Sequence, residues 1–257
     1  MADENDVIIQ MKDVCYSYPA YPHLKTGNRG QVLDNLNFEL RAKDKIGLIG
    51  HNGSGKTTFL HIIMGLLPAS SGTVRIFGKP AETEKDFHFI RQKIGLLFQN
   101  ADDQLFSPTV LEDVAFGPLN QGKTPGEARE LSLKTLEYLN LKGFEDRITY
   151  KLSGGEKKLV ALATVLVMQP CVLLLDEPTT ALDEDTREGI IEILNNLDIS
   201  YVIVSHEYDF LASTTRSIYS MNKGCITYNG NSDIFHSHFH RHPMEKDHHS
   251  GNLKLET

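Results

Sequence analysis

Gly50-His51-Asn52-Gly53-Ser54-Gly55-Lys56-Thr57 matches the pattern G-x-x-x-x-G-K-[ST]. It stands between an apolar run, Ile46-Gly47-Leu48-Ile49, and a helical pattern, Thr58-Phe59-Leu60-His61-Ile62-Ile63. That is the strand, turn and helix setting the motif requires. The glycines let the backbone wrap closely around phosphate, so that successive N–H groups and the helix N-terminus face the anion. Lys56 supplies a mobile positive charge for β- and γ-phosphates, and the Thr57 hydroxyl is positioned to ligate Mg²⁺. The bland alternative, a glycine-rich turn, needs all eight positions and their setting to coincide by chance.

Outward from this loop, short runs that are apolar throughout recur at 94–98, 172–175 and 201–204. Runs of that kind suit the buried strands of a parallel sheet. Ahead of the loop, 7–18 and 32–40 carry β-type patterns separated by a Pro/Gly-rich stretch at 19–30, which reads as a small antiparallel ribbon. Between 102 and 168 the pattern is helical, clearest at 126–139, with no strand evident. The expected fold is α/β: a P-loop NTPase core on a parallel sheet, with an antiparallel β subdomain and an inserted helical subdomain at about 102–168. The domain is expected to span 1–235. Past Ile226 the chain turns polar and histidine-rich, so 236–257 is expected to be a tail.

Cys171-Val172-Leu173-Leu174-Leu175-Asp176-Glu177-Pro178 reads as a buried strand ending in two carboxylates. Neighbours on a strand face opposite sides, but where the strand ends the chain turns, and both acids can reach a phosphate region. Asp176 is then the Mg²⁺ anchor and Glu177 the general base that orients water. A solvated acidic turn is the common alternative for an isolated Asp-Glu-Pro. The phosphate loop makes it the weaker one.

Composition narrows the partners. A net charge of -8 and a pI near 5.8 argue against nucleic acid or an anionic lipid surface as the main partner, because both reward clustered Lys and Arg. The three cysteines, Cys15, Cys171 and Cys225, are widely spaced and form neither a disulfide framework nor a metal knuckle, which fits a reducing cytoplasm. The longest apolar stretch, 159–168, is short of the roughly 20 residues that cross a bilayer. Met1-Ala2-Asp3-Glu4 does not read as a signal peptide. The expectation is a protein that is not exported and reaches the cytoplasmic side of a membrane only through another protein.

Leu152-Ser153-Gly154-Gly155-Glu156 precedes a long apolar helix and lies upstream of the acid pair. A serine hydroxyl and two glycine amides at a helix N-terminus make a second phosphate grip. With it, the chain resembles the ATP-binding subunits of ABC transporters over roughly 7–230, with the motifs in the family's order. The resemblance implies that Ser153, Gly154, Gly155 and Glu156 reach across a homo- or heterodimer interface to ATP held by the other subunit's phosphate loop, with Thr58 joining that loop. It also implies that Tyr18 stacks on adenine, Gln99 links Mg²⁺ to the helical subdomain, Ala181-Leu182-Asp183 crosses between subunits, and His206 touches the γ-phosphate. Taken singly, a Gln or His after a strand is ordinary loop chemistry. The family usually continues with Gln-Arg after the motif's Gln or Glu, whereas Glu156 is followed here by Lys157, Lys158 and Leu159. Tuned rather than lost activity is expected.

Phe98-Gln99-Asn100-Ala101-Asp102-Asp103-Gln104-Leu105-Phe106-Ser107-Pro108-Thr109-Val110, continuing to Asp113-Val114-Ala115-Phe116-Gly117-Pro118, is similar to the ATPases of energy-coupling-factor importers of cobalt, nickel or vitamins. That implies a transmembrane coupling subunit docking near 99–117, and a substrate-binding membrane subunit beyond it. Alternatively, Leu105, Phe106 and Val110 only pack the subdomain. His236, His238, His240, His242, His248 and His249 are six of the chain's 11 histidines. Imidazoles suit Ni²⁺ or Co²⁺, so the tail points to a transition-metal cargo, against an inert solvated tail. A P-loop GTPase acting as a nickel chaperone would share these features, but Asn222-Lys223-Gly224-Cys225 lacks the aspartate that reads guanine. A soluble cassette acting on DNA or ribosomes is disfavoured by the acidic charge.

Overall fold

The computed structural model of the chain describes residues 7–19 and 30–232. In chain order, β1 (Val7–Ser17), β2 (Gln31–Arg41) and β3 (Lys45–Ile49) precede α1 (Lys56–Ile63). Then come β4 (Ser71–Ile76), β5 (Lys79–Pro80), α2 (Glu84–Arg91), β6 (Ile94–Leu97), α3 (Val110–Asn120), α4 (Pro125–Tyr138) and α5 (Gly154–Leu166). The chain continues through β7 (Val172–Asp176), α6 (Glu184–Asn196), β8 (Ser200–Val204), α7 (Tyr208–Thr214), β9 (Ser217–Asn222) and β10 (Cys225–Asn231).

Two sheets result, a four-stranded one ordered β2-β1-β4-β5 and a six-stranded one ordered β10-β9-β3-β8-β7-β6. In the second, β9, β3, β8, β7 and β6 run parallel, and β10 returns antiparallel on β9. Every residue of β7 and β8 is buried. Alternate side chains serve opposite faces: Val172, Leu174, Val202 and Val204 join the cluster beneath α1 and the antiparallel sheet. Leu173, Leu175, Tyr201 and Ile203 join the cluster under α5, α6 and α7. Burial on both faces, each side chain worth about 1.5–3 kcal/mol, explains why these strands are apolar throughout instead of alternating.

The ribbon expected from 7–18 and 32–40 is part of a larger antiparallel sheet, because β4 pairs with the free edge of β1. Only Val74 and Ile76 of β4 are buried, so its alternation is too short to stand out in the sequence. The hairpin of β9 and β10 carries strand structure to Asn231, beyond the loss of pattern at Ile226. Its outer strand is mostly exposed and leaves no apolar run.

Between 102 and 168 the described elements are helical, with one isolated bridge between Thr109 and Ile148. Thr109, Thr124 and Ser153 each cap a helix and are answered three residues later by Glu112, Glu127 and Glu156. Val110 is fully buried, whereas Phe106 is 66% exposed and stands edge-on to the exposed Phe116 at 4.8 Å. Among the described residues no helix is long and apolar enough to cross a membrane.

Candidate active site

The loop 50–57 leaves β3 at the C-terminal edge of the parallel strands and enters α1, whose N-cap is Gly55 at φ 110°. A β-carbon there would meet Val32 O and Leu33 Cδ2, both at 2.9 Å. Glycine is therefore required by conformation and by space together. Lys56 is buried on α1, and its Nζ donates to Gly50 O at 2.7 Å and His51 O at 3.2 Å, drawing the loop into a ring around the ammonium group. Burial lowers the Lys56 pKa, against the pull of Glu177 and Asp176. Ser54 Oγ is buried without a protein partner, a polar atom left for a ligand.

A cavity of about 380 Å³ opens over this loop, lined by Tyr18, Val32, Asn52, Gly53, Gly55, Lys56, Thr57, Thr58, Gln99, Asp176 and Glu177. Tyr18 is half exposed at its mouth, with its hydroxyl 3.2 Å from Thr58 Oγ1 and its ring edge-on to Tyr16. The acid pair lines the same cavity. Asp176 ends β7, and its Oδ2 accepts from Thr57 Oγ1 at 2.7 Å. Burial raises the Asp176 pKa, and the Thr57 hydrogen bond opposes the rise.

Glu177 takes φ 47°, an uncommon conformation for a residue with a side chain and costly unless its surroundings impose it. That turn directs its carboxylate away from the strand pleat. Glu177 Oε1 accepts from His206 Nδ1 at 3.0 Å, and Oε2 accepts from Thr180 Oγ1 at 3.2 Å. His206 follows β8, the strand beside β7, so adjacency in the sheet makes the pair. Glu177 is buried while the His206 side chain is 64% exposed, and the imidazole forms an outer cover on the carboxylate.

Thr57, Gln99 and Asp176, which carry hydroxyl, amide and carboxylate oxygens, line one cavity. That donor set fits a hard divalent cation such as Mg²⁺, and a cation would compensate the buried Asp176 charge.

The other residues expected from the sequence gather elsewhere. Ser153 caps α5 by accepting from Glu156 N–H at 3.2 Å. Glu156 in turn accepts from Ser153 N–H at 2.8 Å and pairs with Arg147 at 2.9 Å. A β-carbon on Gly155 would lie 3.5 Å from Asp183 Oδ2, and Asp183 itself caps α6. Ser153, Gly154, Gly155, Glu156 and Asp183 thus place two helix N-termini side by side, outside the walls of the 380 Å³ cavity. The six tail histidines, 236–249, lie outside the described residues. Among the described residues no group of three or more His, Cys, Asp or Glu is arranged to hold a metal.

Sequence reasoning missed several supports. Glu207 accepts from Thr179 Oγ1 at 3.0 Å and Arg187 Nε at 3.1 Å, joining the turn after Glu177 to α6 beside His206. Val32 enters the cavity wall from β2. Neither belongs to a local pattern. The Ser153-x-x-Glu156 capping box was readable from its spacing.

The ABC transporter family profile matches residues 33–180. A putative ABC transporter ATP-binding protein of Nitratidesulfovibrio vulgaris is 48% identical over 233 residues, 91% of this chain and 83% of that protein. The energy-coupling factor transporter ATP-binding protein EcfA of Methanothermobacter thermautotrophicus is 42% identical over 222 residues, 84% and 68% of the two chains. Among solved structures, CbiO1 of Clostridium perfringens, described as part of the ABC transporter complex CbiONQ, superposes with a TM-score of 0.77 at 31% identity, covering 91% of this chain and 92% of that one. A dimeric ATP-binding cassette in a post-hydrolysis state with ADP and Pi superposes at 0.78 and 26% identity, covering 87% and 98%. The chain belongs to the ABC transporter family, as an ATP-hydrolysing cassette that resembles the energy-coupling-factor type.

Proposed function

We propose that this chain is the ATPase subunit of an energy-coupling-factor importer, that two such subunits close on shared ATP, and that the cargo is a transition metal ion, nickel or cobalt. The observation that carries the catalytic reading is Glu177, buried at the cavity wall and held between His206 and Thr180 at 3.0 and 3.2 Å. A carboxylate so fixed orients and deprotonates a water, while His206, on its exposed side, faces the γ-phosphate. Lys56 exchanges its two loop carbonyls for phosphate oxygens, and Tyr18 receives the base. Thr57, Gln99 and Asp176 would hold Mg²⁺, which would supply charge neutralisation at the phosphates.

Ser153, Gly154, Gly155 and Asp183 belong to the other half of the reading. They form a phosphate grip at a helix N-terminus outside the chain's own nucleotide cavity, which is useful only to ATP held by a second subunit. The exposed pair Phe106 and Phe116 supports docking of a transmembrane coupling subunit near 99–117, which would keep the chain at the cytoplasmic face of the membrane. The tail at 236–257 supports a metal cargo over a vitamin by its imidazoles.

Glu177→Gln should cut turnover by roughly 10²–10⁴ while ATP binding persists, so that the variant accumulates as an ATP-bound dimer. Gel filtration with ATP that shows only monomer would sink the shared-site reading. Turnover at the wild-type rate would sink the role of Glu177.

A further inference from the structure

Of the residues that depart from the family pattern after Glu156, one is buried. Lys158 on α5 is 4% exposed, and its Nζ donates to Gln99 O at 2.6 Å and to Phe98 O at 3.3 Å. Its neighbour Lys157 pairs with the more exposed Asp102 at 2.6 Å in the ordinary way. An ammonium group buried against carbonyls keeps its charge at a desolvation cost, and burial does lower its pKa. The negative charges of Asp176 and Glu177 reach it and oppose that shift. Lys158 therefore anchors the backbone of the segment that carries Gln99.

The same face of α5 holds that segment at further points. Gln104 Nε2 donates to Ala161 O at 2.9 Å and Thr164 Oγ1 at 2.8 Å, while Gln104 Oε1 accepts from Phe98 N–H at 3.1 Å. Positions 157, 158, 161 and 164 recur at helical spacing. Phe98 is thus fixed through both its N–H and its C=O, and Gln99 through its C=O, all to α5 or to a side chain bound to α5. The N-terminus of that helix is Ser153 and Gly154.

We propose that Lys158 is a positioning residue that clamps the Gln99 loop to the helix bearing Ser153. A displacement of Gln99 at this chain's own nucleotide then moves the grip this chain offers to its neighbour's nucleotide. The proposal rests on the roles given above to Gln99 and Ser153. Charge-assisted hydrogen bonds to two carbonyls are stronger than those of a neutral side chain, which is what a clamp between moving parts requires.

The test is a double-mutant cycle on the full chain, with Lys158→Met, Gln99→Ala and their combination, read as kcat and KM for ATP with Mg²⁺, and as binding of a fluorescent ATP analogue without metal. Lys158→Met is expected to lower kcat roughly 10- to 100-fold through misplacement. KM and metal-free binding should be unchanged, and the double variant should be no slower than the worse single one. Lys158→Arg should restore turnover. Multiplying losses in the double variant, wild-type kcat in Lys158→Met, or no rescue by Arg would each overturn the clamp. So would loss of metal-free binding, the mark of a damaged core. Should Lys158→Met fail to fold, Lys158→Gln enters the same cycle with the same readouts. Slow Glu177→Gln beside fast Lys158→Met refutes the clamp alone, whereas a wild-type chain that hydrolyses no ATP refutes the proposed function and the clamp with it.

Discussion

Replacing Asp176 by Asn should change stability and activity in opposite directions. Asp176 is 4% exposed, and burial raises its pKa. A carboxylate whose folded-state pKa lies above its unfolded value binds more protons when folded. Stability then falls as pH rises from the unfolded toward the folded pKa, and the cost of the buried charge is complete above both. Asn has the same shape and can still accept from Thr57 Oγ1, now at 2.7 Å. Exchanging a charged acceptor for a neutral one loses about 1 kcal/mol, while removing the buried charge recovers several kcal/mol in principle. The net gain should be about 1 kcal/mol or more, or roughly 2–4 °C in Tm for a domain of this size. The assay is calorimetry of nucleotide-free protein at pH 7.5 and at pH 4, about the unfolded pKa. The Tm difference should be large at the first pH and shrink at the second, as the native carboxyl protonates. In the same preparation Mg²⁺-dependent hydrolysis should fall roughly 10²-fold or more, because several kcal/mol of charge stabilisation are lost. A variant that is less stable at pH 7.5, or a Tm difference independent of pH, would refute the electrostatic reasoning.

Lys56→Ala removes a buried ammonium from the ring formed by Gly50 and His51 carbonyls. ATP affinity should drop about 30-fold or more, the worth of a desolvated charge contact, and near-normal affinity in equilibrium binding would overturn the cradle assignment. Removing residues 236–257 should abolish Ni²⁺ or Co²⁺ binding in isothermal titration while ATPase turnover persists. Equal metal binding by the truncated chain would remove the support the tail gives to a metal cargo.

The phosphate loop was legible because its requirements are local: glycine where the backbone must approach an anion, Lys56 and Thr57 at fixed offsets, an apolar strand before and a helix after. The strands at 46–49, 172–175 and 201–204 were legible for a related reason, since burial on both faces leaves no polar position to confuse the pattern. β4 and β10 were not, because each is mostly exposed and is held by its partner strand more than by its own residues. Even at Glu177 the sequence supplied the carboxylate but not its direction, which depends on φ 47° and on His206 arriving from the next strand.

Sequence alone thus determined which residues are on offer: the glycine-rich loop at 50–57, Ser153-Gly154-Gly155, the acid pair Asp176 and Glu177, and the order in which they come. Tertiary structure decided which of these meet. Strand order put β8 between β3 and β7, and so brought Asp176 to Thr57 and Glu177 to His206 across 119 and 29 residues. Packing of α5 against the segment after β6 buried Lys158 on the carbonyls of Phe98 and Gln99. The physical reason is range: motifs record what neighbours along the chain must be, while burial and hydrogen bonding between distant segments depend on how the sheet is ordered, which no short stretch of residues encodes.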